Sequence, residues 1–294
     1  MLTPETRGTP SLVNRLLETF SLTSRRLDSL VNACKNPDCQ RRSVRQVLTR
    51  KLDGIELGGM WFCSLQCYEI GLQRIIAGLL TNRVQIRNAR KARVPLGLML
   101  LSRGEVTRDQ LSAALELHRS AGIRVGDALL QMKFVKEDQV ASALAAQWGY
   151  PVFPANTAIH HLPVTLPIYL IELHRIMPLH FTSASRKLLL GFADGPDHGV
   201  LSTAQQMLGC AVEPCFVKMS EFHRRLQWLK TQAQSGEAVF DRLCELGEIT
   251  QVTSSYIRQI GAERATFGIC GSHLWVLLLG GKQPMNLLFR FQQA

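Results

Sequence analysis

Four cysteines in the N-terminal part of the chain have the spacing of a metal site. Cys34 and Cys39 form one pair, Cys63 and Cys67 form a second pair, and a loop separates the two. Four thiolates complete a tetrahedron around Zn²⁺ and leave no open position for catalysis. The pattern therefore predicts a structural zinc site, whose metal supplies folding free energy that a short segment with few apolar residues lacks. Two alternatives stay open: unrelated pairs of buried cysteines, and a disulfide, which the cytosol disfavours.

The residues around these cysteines indicate how the chain brings them together. Asn36–Asp38 contains a proline and has the composition of a turn, which folds the first pair back on itself. A helix is predicted to start at Ser64, so that Cys63 and Cys67 lie at its first turn. There the helix dipole and the free backbone N–H groups stabilise thiolate charge.

The stretch from Trp61 to Cys67, Trp-Phe-Cys-Ser-x-x-Cys, resembles the second half of treble-clef zinc fingers. Fingers of that class also bind nucleic acid or protein, and the basic run 40–45 directly follows the first cysteine pair. Binding of nucleic acid through this basic N-terminal part is the alternative function. The other four cysteines are scattered among apolar neighbours and are predicted to be small buried hydrophobes: Cys210, Cys215, Cys244 and Cys270.

A second chemical signal lies in residues 95–147, which repeat themselves after 29 positions: Leu96-Gly97 falls on Val125-Gly126 and Leu111 on Val140. The apolar spacing predicts a helix, a turn and a second helix in each copy. Gly104 in one copy and Lys133 in the other mark the turn. The unit is therefore a helical hairpin that occurs twice.

The second copy carries polar groups that suit a flat heterocycle. Arg124 and Asp127 lie on either side of Gly126, where a ligand can approach the backbone closely. Val140, Leu144 and Gln147 share one helical face because of their spacing of four and three. Guanine, whose O6 and N7 accept hydrogen bonds, is the natural partner of a bidentate arginine. The competing interpretation is that these apolar residues are simply the core of a helical repeat.

The repeat resembles the N-terminal domain of type II secretion and type IV pilus assembly ATPases, the GspE N-terminal or MshEN family, whose tandem motifs bind cyclic di-GMP. The resemblance implies cyclic di-GMP as a candidate ligand and secretion or pilus machine components as partners. Carried over, the second motif offers Arg124, Val125, Gly126, Asp127, Val140, Leu144 and Gln147. The first motif offers Leu96, Gly97, Leu111 and Leu115, with His118 in the closing position.

Three residues depart from the family pattern. The first motif has Pro95 in place of its arginine and His118 in place of its closing glutamine, and the second has Lys133 in place of a turn glycine. Proline has no guanidinium, and a single imidazole cannot present an amide fork. Loss of one bidentate contact costs about 1 to 3 kcal/mol, so binding is expected to be weakened and to depend mainly on the second motif.

The rest of the chain predicts an α+β multidomain fold: a zinc knuckle, a helical-hairpin repeat domain, and then small α/β modules. The predicted boundaries are 1–92, 93–153, 154–232 and 233–294. The third part reads as strands, helix, strand and helix, the segment 232–237 as a polar linker, and the last part resembles the start of the ATPase catalytic half. No phosphate-binding loop with the pattern Gly-x4-Gly-Lys-Ser/Thr and no other catalytic constellation occurs, which predicts a non-enzymatic protein.

The composition is sufficient for hydrophobic cores, since 46% of the 294 residues are hydrophobic. The formal net charge is +11. Sequence length favours two or three domains. No run approaches the roughly 20 apolar residues of a membrane span, and the first residues do not resemble a signal peptide. We therefore expect a cytoplasmic bacterial regulator or adaptor, peripheral at the inner membrane through a partner. The histidines at 160, 161, 174 and 180 match no ligand spacing and are expected to be core or surface residues.

Overall fold

The computed structural model describes residues 34–39, 54–82, 93–164, 166–232, 236–242, 244–281 and 283–291. The chain divides into two compact units, residues 1–72 and 73–294. Apolar spacing in the sequence predicts short helices at 11–20 and 27–31, and the polar and basic stretch 81–94 is predicted to be a linker or helix extension. Both helices, most of that stretch and the basic run 40–45 lie outside the described residues.

In the first unit, a short hairpin precedes a long helix. Strands β1 (Ile55–Leu57) and β2 (Met60–Phe62) pair antiparallel. The turn between them consists of two glycines with φ of 55° and 81°, a conformation that residues with a side chain rarely adopt. Helix α1 (Leu65–Asn82) follows, and an added Cβ at its Gly71 would lie 2.4 Å from the ring of Phe62. That glycine therefore lets the hairpin pack closely on the helix.

The second unit begins with the repeat, which has the predicted architecture. Its first copy consists of α2 (Leu96–Ser102) and α3 (Arg108–Ala121), and its second copy of α4 (Val125–Gln131) and α5 (Glu137–Trp148). Helix α2 packs on α5, and α3 packs on α4. The prediction of a duplicated helical hairpin is therefore confirmed.

Local hydrogen bonds explain why these helices begin and end where they do. Thr107 accepts from the backbone N–H of Gln110, and the Gln110 side chain accepts from the Thr107 backbone N–H at 2.9 Å. This reciprocal pair is a capping box. Gly122 and Gly149 close α3 and α5 in the left-handed conformation. Lys133 takes the same conformation, with a φ of 57°, at the turn where the family has a glycine.

An α/β module follows the repeat. Its helices are α6 (Ile168–His174), α7 (His198–Leu208) and α8 (Met219–Gln232). Its strands are β3 (Ile176–Thr182), β4 (Lys187–Phe192) and β5 (Ala211–Phe216). Strands β3 and β4 pair antiparallel, and β4 and β5 pair parallel. The predicted order of these elements is confirmed.

The last part forms a second sheet. It contains β6 (Gly236–Phe240), α9 (Leu246–Ile260), β7 (Arg264–Cys270), β8 (His273–Leu279) and β9 (Met285–Arg290). Strands β7, β8 and β9 are antiparallel neighbours, and β6 joins β9 in parallel.

The prediction of a linker at 232–237 is wrong at both ends. Gln232 ends α8, and Gly236 and Glu237 belong to strand β6. The two carboxylate oxygens of Glu237 accept the N–H groups of Ile168 and Tyr169 at 2.8 and 2.9 Å, at the start of α6. These partners lie almost seventy residues away in sequence, so the local pattern could not indicate them.

The apolar side chains of the repeat, the module and the last sheet form one continuous cluster, from Leu100 in α2 to Leu288 in β9. The fold class is thus α+β, as predicted, with a cysteine cluster near the N-terminus. The four domain boundaries remain a prediction. Within the described residues, no helix has both the length and the apolar character needed to cross a membrane.

Candidate functional site

The four predicted cysteines come together in the first unit. All are buried, and their four Sγ atoms lie within 4.8 Å of one another: Cys34, Cys39, Cys63 and Cys67. The Sγ atoms of Cys39 and Cys63 are 3.5 Å apart, and those of Cys63 and Cys67 are 3.9 Å apart. Four sulfurs around Zn²⁺ at about 2.3 Å are separated from one another by about 3.8 Å in a tetrahedron. The cluster therefore has the ligand type and the dimensions of a tetrathiolate site.

Backbone and side-chain hydrogen bonds hold the first cysteine pair in place. The Cys39 N–H donates to the Asn36 carbonyl at 3.2 Å, and the Asp38 N–H donates to the Asn36 side-chain oxygen at the same distance. The Lys35 N–H donates to the Trp61 carbonyl at 3.0 Å, which ties this turn to strand β2. The tight turn predicted from the proline is therefore present, and a strand edge fixes its position.

The pKa values of the cysteines differ within the cluster. Burial raises the pKa of Cys67, but hydrogen bonds from Ser64 and Asn36 and the other thiols outweigh it and lower the value to about 7. The Asn36 amide donates to the Cys67 Sγ at 3.4 Å. Burial raises the pKa of Cys34. The role of Asn36 as a hydrogen-bond donor to the Cys67 sulfur was not predicted.

The four scattered cysteines have a different environment. All four are buried, and burial raises the pKa of Cys215 and of Cys270 to about 12. They behave as small hydrophobes, as predicted. In the described part of the chain, no other group of three or more His, Cys, Asp or Glu side chains approaches metal-binding geometry.

The second candidate site is a cavity of about 260 Å³ beside the second copy of the repeat. Eight of the twelve residues predicted from the motifs line it: Leu96, Arg124, Val125, Gly126, Asp127, Val140, Leu144 and Gln147. The α/β module supplies the opposite wall, through Asp194, Gly195 and residues 217–219. Val140 and Leu144 form an apolar face, and a Cβ added at Gly126 would lie in ordinary van der Waals contact with Leu96 at 3.4 Å and with Val140 at 3.7 Å.

The other four predicted residues lie elsewhere in the repeat. Gly97 packs against Leu111, whose Cδ1 would lie 2.5 Å from an added Cβ. Leu115 packs against the apolar core. His118 Nδ1 lies 2.5 Å from the Ile123 carbonyl and closes the turn that leads into α4. In this structure, therefore, the first motif contributes packing and turn formation, and only its Leu96 reaches the cavity.

The charged groups of the cavity are already paired. Arg124 forms an ion pair with Asp194. Arg175, at the end of α6, donates to Asp127 at 2.7 Å and to Asp194 at 3.1 Å. Burial, and then the Arg175 charge, lower the pKa of Arg124, although a guanidinium remains charged in proteins. Two arginines and two aspartates thus form a neutral network across the repeat and the module.

The nitrogen and the oxygen of the Gln147 side-chain amide both form hydrogen bonds. Its Nε2 donates to the Val94 carbonyl, and its Oε1 accepts from the Trp148 Nε1 at 3.0 Å. The Arg93 guanidinium lies 3.5 Å above the centroid of the Trp148 ring, in a cation–π contact. Residues 93 and 94 therefore lie against the edge of the cavity.

Sequence reasoning missed the module wall of the cavity. The sequence around Asp194 and Gly195 indicates only a turn, and Lys218 belongs to no motif. Glu137 also lines the cavity, and its carboxylate accepts the Ser220 N–H at 3.1 Å, at the start of α8. The contacts between the repeat and the module span more than 45 residues, and no local pattern signals them.

No protein-family model matches the chain. Bacteriophage adsorption protein B of Escherichia coli K12 and bacteriophage N4 adsorption protein B of Escherichia coli O157:H7 are each 27% identical to it over 125 residues, or 39% of this chain. The chain spans 15% of the length of those relatives.

Among solved structures, one described as MshE with cdg is similar to this chain. The match covers 46% of this chain and 99% of the chain in that structure, with 23% sequence identity and a TM-score of 0.39. The N-terminal domain of XpsE is similar over 47% of this chain and 97% of its own, with 16% identity and a TM-score of 0.40.

Proposed function

We propose that the cavity beside the second repeat copy binds cyclic di-GMP, and that the chain is a non-catalytic regulator or adaptor of a bacterial secretion or pilus-type system. The observation that supports this proposal is the convergence of all seven residues of the second motif on one cavity. The motif is local in the sequence, whereas the cavity follows from the packing of five separate segments.

The cavity has the size of one base. At about 30 Å³ per water-sized group, a volume of 260 Å³ takes roughly nine such groups, close to the heavy-atom count of a guanine. In the proposed complex, the base lies against Val140 and Leu144, and Arg124 donates to its O6 and N7. The second base and the phosphates then lie outside the cavity, near Arg93 and Lys218, and the degenerate first motif adds little affinity.

Calorimetry of the full chain with cyclic di-GMP tests this proposal. Binding is expected in the wild type and is expected to weaken at least tenfold in Arg124→Ala. Arg119→Ala is the matched control, because Arg119 is exposed in the first copy and does not line the cavity. Cyclic di-AMP serves as the ligand control, since adenine lacks the O6 acceptor. The proposal fails if no heat is released up to millimolar ligand, or if the two arginine variants bind equally well.

We also propose that the cysteine cluster binds one structural Zn²⁺. The residues that would hold it are Cys34, Cys39, Cys63 and Cys67, and the ion would link the turn before Cys39 to hairpin β1–β2 and helix α1. Four thiolates around one ion leave it no open position, so its role is in folding. The amide of Asn36 would orient the Cys67 sulfur and offset part of its negative charge.

The proposed partners are secretion or pilus machine components, and the proposed location is the cytoplasm, with attachment to the inner membrane through such a partner. A pulldown with the full chain, with and without cyclic di-GMP, tests this part. Nucleic acid binding stays a prediction from the sequence, since the basic run 40–45 lies outside the described residues.

A further inference from the structure

A second cavity, of about 330 Å³, lies inside the α/β module. One wall is the irregular segment 159–164, and the other walls come from α6, β3, α8 and β6. Most of its lining is apolar: Ile159, Leu162, Val164, Leu166, Ile168, Ile171, Met177, Pro178, Trp228 and Leu229. None of the residues predicted from the repeat motifs lines this cavity. It is therefore distinct from the proposed nucleotide site.

Arg225 supplies a positive charge to this apolar lining. The residue is 2% exposed. Its Nε donates to Glu221 at 2.6 Å and its Nη2 donates to the Thr157 hydroxyl at 2.7 Å, while its Nη1 has no hydrogen-bond partner within the described residues. A buried guanidinium normally uses its whole donor fork. One arm of this arginine is thus left for a group inside the cavity.

The charges around Arg225 do not cancel. Within the described residues, Glu221 is the one carboxylate in contact with it, and this carboxylate also accepts from Arg224, whose side chain is 40% exposed, at 2.6 and 2.9 Å. One negative charge therefore faces two guanidinium groups. The other carboxylate of the cavity, Glu237, is held by the two N–H groups at the start of α6. Because a buried charge is costly unless it is compensated, the Arg225 end of the cavity favours an anion.

The wall segment is long and pinned to α8. Residues 153–164 contain no helix or strand, and irregular segments of this length are uncommon in compact domains unless they serve a function. Arg225 holds one part of the segment through Thr157, and the ring of His161 lies 5.0 Å from the ring of Trp228. The segment is thus held against α8 by side-chain contacts.

We propose that this cavity binds a medium-chain carboxylate, with its hydrocarbon chain against the apolar lining and its carboxylate on Arg225. At about 30 Å³ per water-sized group, the volume takes roughly eleven such groups, which matches a carboxylate of about eight carbons. A neutral apolar molecule of the same length would fill the space but would leave Nη1 without an acceptor. The inference does not depend on the proposed binding of cyclic di-GMP.

Calorimetry of the full chain with sodium octanoate and with 1-octanol tests the proposal without any mutation. The two probes have the same chain length, and only octanoate offers a charge to Arg225. Octanoate is expected to bind about ten- to a hundredfold more tightly, since a hydrogen bond between charged groups is worth that factor. Equal affinities for the two probes, or no binding of octanoate, would overturn the proposal.

A variant pair then locates the site. Leu229→Trp places a larger ring in the cavity and is expected to abolish octanoate binding. Leu201→Trp is the control, because Leu201 is also half-buried on a helix of the module but does not line the cavity. Octanoate binding that persists in a folded Leu229→Trp protein, as judged by circular dichroism against the control, would overturn the assignment to this cavity. If Leu229→Trp does not fold, the comparison of the two probes alone decides.

Discussion

The pairing of Arg124 with Asp194 makes opposite predictions for two substitutions at the same cavity. Arg124 is 51% exposed and Asp194 is 21% exposed in their side chains, so the pair lies at the edge of solvent. A guanine that takes the Arg124 fork must displace the Asp194 carboxylate. Arg124→Ala removes the donor that the ligand needs, whereas Asp194→Asn removes the competitor and retains the shape of the side chain.

The expected magnitudes follow from this exposure. A bidentate arginine–guanine contact is worth about 1 to 3 kcal/mol, so Arg124→Ala is expected to weaken cyclic di-GMP binding by about ten- to a hundredfold. Arg124→Lys keeps the charge but not the planar fork, and an intermediate loss is expected. A half-exposed ion pair contributes about 0 to 1 kcal/mol. Asp194→Asn is therefore expected to raise the affinity by up to about fivefold and to change the stability little, since Arg175 keeps its 2.7 Å contact with Asp127.

Calorimetry measures all three affinities, and urea unfolding checks that each variant retains the wild-type stability within about 1 kcal/mol. Low and high salt provide a further control, because the competing pair weakens as salt screens it, and the gain from Asp194→Asn should then shrink. Wild-type affinity in both Arg124→Ala and Asp194→Asn would refute the reasoning, since neither the donor nor its competitor would then matter. Weaker binding in Asp194→Asn would mean that this carboxylate contacts the ligand itself.

Three further predictions concern the metal, the packing of the repeat and the response to acid. Metal analysis should find one zinc ion per chain in the wild type and in Cys244→Ser, and almost none in Cys63→Ser. Gly97→Ala should lower the free energy of unfolding by about 1 to 3 kcal/mol, because the added carbon overlaps a buried leucine. Gly126→Ala should leave the free energy of unfolding nearly unchanged and should weaken the binding of cyclic di-GMP. Burial lowers the pKa of His174 in the folded state, so the unfolded chain binds more protons. Stability should therefore fall as the pH drops below about 6.5. Urea unfolding of His174→Gln should show a flatter dependence of stability on pH.

The repeat was predictable from the sequence because its signals are local. The cap at Thr107 and Gln110 spans three residues, and the apolar spacing of each helix spans little more. Lys133 shows that the geometry of the turn outweighs the preference for glycine there, at a cost that the packing of the two helices offsets. The cysteine cluster was predictable for the same reason, since the two close pairs limit the arrangements that four thiols can adopt.

The remaining features were not predictable because they depend on contacts between distant segments. Strand β6 begins inside a polar stretch of the sequence, and its backbone pairs with that of β9, almost fifty residues later. Asp194 and Lys218 reach the cavity only through the packing of the module on the repeat. The motif therefore indicated one wall of the site, while the charges that compete with a ligand lie on the other wall.

In the proposed complex, binding at this cavity would therefore exchange existing contacts for new ones. A ligand that uses Arg124 and Gln147 must take the first from Asp194 in the module and the second from the Val94 carbonyl. The first exchange loosens the repeat from the module, and the second releases the residues that enter the repeat. Coupling between two binding events is reciprocal. A partner that draws residues 93 and 94 away from Trp148 should therefore raise the affinity for the ligand, and the ligand should raise the affinity for that partner by the same factor.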